Sequence, residues 1–365
     1  MTRQSRRILL VSPLPPPHGG VPLWTERVLR EANRQTNLEL RVVDIAPRWR
    51  AIHDLGVAKR IIGGAVQFVV NYVVFLRALR NRPDVVHLTT PGSLAGMRDI
   101  AMCATARLFR VPVVYHIRFG RVPEIASRRT LEWRVLAKAM QASSVVMAIT
   151  TDSAEAIERC LPGVRVEYVP NPIDQSVLPT PASDDSSRKT ALFLGWVLPT
   201  KGVEELVGAW SAVDPDDWEL LIAGPGDVGY QQRLIEQYSP RNLRFLGELE
   251  HTKAMDLMAR CDVFVLPSYT EGFPNAVLEA MALGRPIIAT SVGAVPDMLS
   301  DGCGLLIPPR DAGKLQEALV RLFHDHSLRW QMGERARAKA QSDYSMNVVF
   351  ARYQRIWESL IPTER

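Results

Sequence analysis

The chain reads as an α/β protein built from two successive doubly wound units. Three observations predict this. Its 365 residues suffice for two cores of ordinary size. Short, nearly all-apolar runs alternate with stretches of helical period. A segment rich in Pro, Asp and Ser near 168–185 interrupts the alternation, which then restarts. Strands that are apolar on both faces and separated by helices call for a parallel sheet covered on both sides.

Taken in order, Arg7–Val11 (RILLV) is the first expected strand, followed by a Pro/Gly loop and a helix over Leu23–Gln35. Leu38–Asp44, Asp84–Thr89, Val111–His116 and Ser144–Ile149 continue the first sheet. In the second unit the expected strands are Ala191–Leu194, Glu219–Ala223, Leu243–Leu246, Val263–Leu266, Ile287–Thr290 and Leu305–Ile307. Helices over Gly202–Trp210, Gln231–Gln237, Thr252–Arg260, Asn275–Leu283 and Lys314–His324 lie between or after them. The expected division is 1–172, 173–344, and a terminal helix in 345–365 that crosses back to the first domain. Two Rossmann-like domains facing across a cleft put the ligand at the carboxyl ends of the strands.

Apolar residues make up 47% and charged residues 23%, which fits a globular protein. The cysteines at 103, 160, 261 and 303 form no C-x-x-C pair, so free thiols in a reducing cytosol are expected rather than disulfides or zinc. The apolar run after the basic N-terminus is too short for a signal peptide core. Residues 1–180 carry 25 Lys/Arg against 14 Asp/Glu, and residues 181–365 carry 19 against 25, so a +11 half precedes a −6 half. Such asymmetry suggests domains with different partners, the basic one suited to an anionic membrane, an anionic substrate or nucleic acid. No helix-turn-helix, zinc or RNP signal supports nucleic acid. The apolar stretch Ile61–Leu76, flanked by Lys59, Arg60, Arg77, Arg80 and Arg82, is short for a spanning helix. It reads equally as a buried core helix or an interfacial one.

The chemistry concentrates around Glu271 and Glu279. A strand ends at Leu266, a loop with Gly272 and Pro274 follows, and a helix begins near Asn275, a good N-cap residue. Backbone N–H groups of Gly272–Val277 then point outward at a helix N-terminus, the usual setting for phosphate. Acids beside an anion site suit sugar and ribose hydroxyls, which donate hydrogen bonds. Taken alone, the two acids also read as a loop acid and a solvated helix acid.

The stretch PSYTEGFPNAVLEAMALGRPIIATSVGAVPDML (Pro267–Leu299) strongly resembles the C-terminal domain signature of the GT-B retaining glycosyltransferases called family 4, whose E-x7-E motif matches Glu271 and Glu279. The resemblance extends over most of the chain. The family's early Gly-Gly loop matches Gly19-Gly20, its N-domain histidine matches His116, and its domain junction resembles Asn171-Pro-Ile-Asp174. The resemblance implies that 1–172 binds the acceptor and 173–344 a nucleotide sugar. It implies that Glu279 holds the ribose, Glu271 and His116 touch the transferred sugar, and Lys201 binds the diphosphate. The amides of Gly272, Phe273, Pro274, Asn275, Ala276 and Val277 belong to the donor site (Pro274 through its backbone only), and Gly20 lets a backbone N–H approach phosphate. On its own, His116 at a strand end also reads as a structural residue.

The family pattern G-R-x5-K-G is met only partly by the run from Gly195 and Trp196 to Lys201 and Gly202. Trp196 stands where an arginine is expected and cannot neutralise phosphate. Arg118 and Arg121 are candidate substitutes, read first as solvated loop charges.

Two further motifs read as decoys. Asp214-Pro-Asp216 has the D-x-D form that holds metal in another glycosyltransferase fold, but its place in a Pro-containing turn favours a surface turn. Gly224-Pro-Gly226-Asp-Val-Gly229 spells a dinucleotide fingerprint, with Glu248 about twenty residues on. It follows the second strand of its domain rather than the first, which argues against a nicotinamide or flavin role.

The expectation is therefore a retaining, metal-independent transferase needing no cofactor beyond its nucleotide-sugar substrate, with lysine and amides stabilising the leaving diphosphate. Its acceptor would be lipid-linked or a glycan, and its location cytoplasmic, peripheral on the inner face of the cell membrane. His18 and Thr89–Ser93 are candidates to line the acceptor side. A nucleotide-sugar epimerase or phosphorylase on the same fold, or a non-catalytic nucleotide-sugar-binding homologue, are the alternatives.

Overall fold

The computed structural model describes residues 5–16, 19–46, 57–93, 95–180 and 188–362. His18 lies outside the described residues. The chain forms two compact units, 1–172 together with 349–365, and 173–348.

Unit 1 runs β1 (Arg6–Ser12), α1 (Gly20–Ala32), β2 (Leu38–Asp44), α2 (Val57–Leu79), β3 (Val85–Thr90), α3 (Ala95–Leu108), β4 (Val113–Ile117), α4 (Val122–Ser127), α5 (Leu131–Ala142), β5 (Val145–Ala148), α6 (Thr151–Cys160) and β6 (Val166–Tyr168). The six strands pair in parallel in the order β2-β1-β3-β4-β5-β6. Every residue of β3, β4 and β5 is buried. Helices cover both faces of these strands, which is why their sequences are apolar runs rather than alternations. β6, which the sequence did not suggest, ends where the expected linker begins. It has three half-buried residues at the sheet edge, too few to show a period.

Unit 2 runs β7 (Lys189–Leu194), α7 (Val203–Val213), β8 (Trp218–Ala223), α8 (Val228–Tyr238), β9 (Leu243–Gly247), α9 (His251–Arg260), β10 (Val263–Leu266), α10 (Asn275–Ala282), β11 (Ile287–Thr290), α11 (Val295–Met298), β12 (Leu305–Ile307), α12 (Ala312–His324) and α13 (His326–Tyr344). Its sheet, also parallel, has the order β12-β11-β10-β7-β8-β9. The final helix, α14 (Met346–Leu360), starts in unit 2 and buries Val349, Phe350, Tyr353, Ile356 and Trp357 in unit 1.

Strand order fixes where a ligand can sit. In unit 2 the winding reverses between β7 and β10, so the loops leaving these strands diverge and open a crevice at their carboxyl ends. In unit 1 the reversal lies between β1 and β3. α2 is the apolar stretch noted in the sequence, lengthened to 23 residues. It is not a fully buried core helix: Val66, Val69, Val70, Val73 and Val74 are 38–58% exposed, whereas Phe75 and Leu79 are buried. Among the described residues no helix is long and apolar enough to cross a membrane.

Candidate active site

The β7/β10 reversal brings together the residues that the sequence singled out in unit 2. After β7 the chain makes a 3-10 turn over Pro199–Lys201 that closes on Gly202 with φ +67°. A Cβ on Gly202 would stand 2.0 Å from the Pro267 carbonyl oxygen, so only glycine lets the two loops approach this closely. The Tyr269 N–H donates to the Thr200 carbonyl at 2.9 Å and ties the loops together. Lys201 is thereby held over the β10 loop, with Nζ 2.6 Å from Glu271 Oε1.

Glu271 and Gly272 are held from the other side. Gly293, at φ +56°, packs where a Cβ would stand 2.3 Å from the Glu271 carbonyl oxygen, and Ala294 N–H donates to the Gly272 carbonyl at 2.9 Å. α10 then starts with Pro274 as N-cap, one position earlier than the Asn275 cap the sequence suggested, and Asn275 as its first helical residue. Pro274 brings no side-chain oxygen to the first-turn amides. Phe273 is buried with its ring edge-on to Tyr344, while Ala276 and Val277 lie in the first turn. One turn on, Glu279 is buried with Oε1 3.9 Å from His251 Nε2. The crevice thus holds a partly buried cation, two carboxylates and a helix N-terminus. That set can neutralise a diphosphate and accept hydrogen bonds from hydroxyls.

The two decoy motifs have structural partners of their own. Gly224, at φ +145°, lies where a Cβ would meet the Gly195 carbonyl oxygen at 1.8 Å, and the Val197 N–H donates to the Pro225 carbonyl at 2.8 Å. These glycines serve the close packing of two loops. Asp214 and Asp216 both pair with Arg241, at 2.5 and 3.2 Å, on the turn before β8. Trp196 is 60% exposed.

In unit 1, Gly19 caps α1 at the end of the β1 loop, and Gly20 is the first helical residue. Gly19 is extended (φ 174°), and a Cβ there would meet only Pro22 at 3.9 Å, so neither backbone nor space demands a glycine at 19.

His116, in β4, is fully buried in a polar and aromatic cluster that the sequence did not reveal. Its Nδ1 is 3.0 Å from His87 Nε2 and its Nε2 is 3.3 Å from Arg118 Nη1. The Trp24 ring stands edge-on to it at 5.2 Å, and Tyr353 of α14 lies 6.1 Å away. Trp24 donates from Nε1 to the Tyr353 hydroxyl at 2.9 Å, and Trp357 donates from Nε1 to His87 Nδ1 at 3.1 Å. Burial, with the Arg118 charge second, lowers the His87 pKa to about 3 and pushes His116 well below the usual histidine value. Both rings are neutral at pH 7. Arg118 is not the solvated loop charge that the sequence suggested. It is 8% exposed, with its guanidinium 4.3 Å from the Trp24 ring centre. Arg121 is instead engaged by Glu132 at 2.8 Å. The sequence did carry one signal, because His87 and His116 are polar residues in otherwise apolar neighbouring strands. In register, Thr89 faces His116, which puts His87 on the same sheet face.

Comparison with known proteins agrees with this architecture. Residues 19–177 match the family model described as Glycosyltransferase Family 4, and residues 188–325 match that described as Glycosyl transferases group 1. The chain is similar to the GDP-mannose-dependent monoacylated alpha-(1-6)-phosphatidylinositol monomannoside mannosyltransferase of Corynebacterium glutamicum, at 29% identity over 53% of this chain and 56% of that protein. It is 35% identical, over 47% of each chain, to the phosphatidyl-myo-inositol mannosyltransferase of Mycobacterium leprae. These matches span about half the length of the relatives. Among solved structures, the HepE protein of Anabaena in complex with UDP superposes with a TM-score of 0.75 over 97% of this chain and 100% of that one, at 18% identity. With both of its parallel-sheet units matched in turn, the chain belongs to the GT-B glycosyltransferases of the family 4, group 1 type.

Proposed function

We propose that the protein transfers a sugar from a nucleoside-diphosphate sugar to a lipid-linked or glycan acceptor, with retention at the anomeric carbon and without a resident metal. The observation that carries this reading is the meeting of Lys201, Glu271 and the α10 N-terminus at the β7/β10 reversal, with Glu279 one turn inside. On binding, the diphosphate takes Lys201 and the backbone N–H groups of Gly272, Phe273, Asn275, Ala276 and Val277. Glu271 then turns to the hydroxyls of the transferred sugar and Glu279 to the ribose. Fixed donors aimed at the departing diphosphate lower the barrier where negative charge develops, the work a divalent ion does elsewhere. His116, neutral and donating, serves the transferred sugar from unit 1.

A lipid-held acceptor has two supports. Of the relatives named above, one is a phosphatidylinositol monomannoside mannosyltransferase and another a phosphatidyl-myo-inositol mannosyltransferase. The exposed valine stripe of α2, continued by exposed Arg77, Arg80 and Arg82, suits an anionic bilayer surface and a peripheral placement.

The test is a thermal-shift series of nucleoside diphosphates and their sugars, followed by turnover with the preferred donor. A ligand at 100 times its dissociation constant adds about 2.7 kcal/mol, a readily measured shift. No stabilisation by any nucleoside diphosphate would end this reading.

A further inference from the structure

Unit 1 buries a file of four nitrogen-bearing side chains whose protons do not balance. Trp357 Nε1 meets His87 Nδ1 at 3.1 Å, His87 Nε2 meets His116 Nδ1 at 3.0 Å, and His116 Nε2 meets Arg118 Nη1 at 3.3 Å. The two ends are an indole and a guanidinium, which only donate. Each neutral imidazole between them supplies one donor and one acceptor. Three contacts between donor-only ends require three acceptors, and the two rings hold two. Protonating either ring removes a further acceptor, and burial already opposes it. One contact therefore has no acceptor.

The distances say which. The two contacts to His87 are at ordinary hydrogen-bond length, and the contact to Arg118 is the longest. Trp357 occupies His87 Nδ1, so His87 carries its proton on Nε2 and donates to His116 Nδ1. His116 then carries its own proton on Nε2, facing a guanidinium that cannot accept it. Arg118 repeats the deficit, because its buried Nε has no partner among the described residues either. Among the described residues, His116 Nε2–H and Arg118 Nε–H, on side chains 0% and 8% exposed, are thus two donors without an acceptor, while the same guanidinium also meets the Tyr353 hydroxyl.

We propose that Trp357 and His87 are positioning residues that lock His116 in the Nε2–H tautomer, so that His116 and Arg118 donate together to one oxygen of the substrate. That oxygen belongs to the transferred sugar, an assignment that rests on the transferase reading above. The tautomer lock rests on the donor count alone. Its ligand chemistry is restrictive: an oxygen with free lone pairs fits, and an ammonium or amide N–H does not.

The experiment is two-bond 1H–15N correlation on the full chain labelled with 15N-histidine, using His87→Asn to assign the resonances. The wild type is expected to show His116 protonated on Nε2 alone at pH 7. Trp357→Phe keeps an aromatic ring but removes the donor, and should give a mixture of His116 tautomers. Its turnover should fall roughly ten- to a hundredfold, the scale found when a group that orients a functional histidine is removed. Binding of the bare nucleoside diphosphate should not change. A wild-type His116 protonated on Nδ1 overturns the lock, and needs no variant to be seen. So does a folded Trp357→Phe protein with the tautomer unchanged. The lock with no sugar transfer from any donor sinks the transferase reading and leaves the lock standing. Transfer with an Nδ1–H His116 does the reverse.

Discussion

Lys201 Nζ and Glu271 Oε1 stand 2.6 Å apart, joining the ends of two loops that leave β7 and β10. Lys201 is 27% exposed and Glu271 13%, so the pair is partly screened and worth at most about 1 kcal/mol to stability. Its value lies in readiness: each partner keeps the other extended over the crevice until a diphosphate replaces the carboxylate on the lysine. Lys201→Ala is expected to cut turnover on the order of a hundredfold, the usual cost of losing one charge-stabilising donor, and to abolish the thermal shift with nucleoside diphosphate. The melting temperature of the free protein should move little. Steady-state kinetics beside a melting curve separates the two effects.

Glu271 should behave differently. Glu271→Gln keeps a hydrogen-bonding group but releases the lysine, so bare nucleoside diphosphate should bind as well or better. Nucleotide sugar should lose its advantage over the bare diphosphate. Calorimetric titration of both ligands checks this, and equal losses for both would be evidence against a contact between Glu271 and sugar.

Gly202 carries a steric prediction. Alanine there faces both a φ of +67° and a Cβ 2.0 Å from the Pro267 oxygen. Gly202→Ala should destabilise the protein by about 1–3 kcal/mol and displace Lys201, so nucleotide binding falls with stability. Gly229→Ala makes a control, since its nearest contact for a Cβ is the Asp227 side chain at 3.2 Å and its φ lies outside the left-handed range. Denaturant unfolding of the two variants gives the comparison.

The buried histidines set a pH dependence. His87 falls from an unfolded value of 6.5 to about 3, and His116 shifts the same way. Between those values the unfolded chain binds more protons than the native one, so stability rises with pH. The His87 contribution is complete above pH 6.5 and is lost progressively as pH falls towards about 3, with a slope of up to about 1.4 kcal/mol per pH unit, and His116 acts in the same direction. His87→Gln should flatten the slope between pH 6.5 and 5, above the range where ordinary carboxylates titrate. Chemical denaturation at half-unit pH steps would show it, and an unchanged slope would count against neutral burial of His87.

The α2 stripe predicts membrane behaviour. Val70→Asp, at a site 50% exposed, should leave stability within about 0.5 kcal/mol. It should abolish co-sedimentation with vesicles of phosphatidylcholine and phosphatidylglycerol. Binding by the wild type should also weaken with salt, as Arg77, Arg80 and Arg82 contribute through charge.

Most strands were legible in the sequence because a buried parallel strand is an apolar run bounded by turn residues, and β2, β10, β11 and β12 fall on the residues expected. α13 was not legible. It packs through Arg329, Met332, Gly333, Ala336, Ala340 and Tyr344, and Gly333 sits where a Cβ would be 2.2 Å from the Gly284 carbonyl oxygen, so its contact face mixes small and charged residues and shows no apolar stripe. The unit 2 residues could be read because Glu271–Glu279 form one continuous segment and Lys201 falls in the short run Gly195–Gly202. The His116 surroundings could not, since Trp24, His87 and Trp357 are far apart in sequence and Arg118 looks like any loop charge until it is seen against the Trp24 ring.

The return of α14 gives unit 1 a particular order of assembly. Residues 1–172 leave the ribosome with Trp24 and His87 lacking Tyr353 and Trp357, which arrive some 180 residues later. At ordinary rates of synthesis that interval is roughly ten to forty seconds, during which an apolar face of unit 1 stays uncovered. Vectorial folding therefore favours unit 2 closing on itself first, with the end of the chain acting as the stitch that completes the older unit. A nascent chain stalled before Val349 should accordingly be a better chaperone client than one released after Leu360.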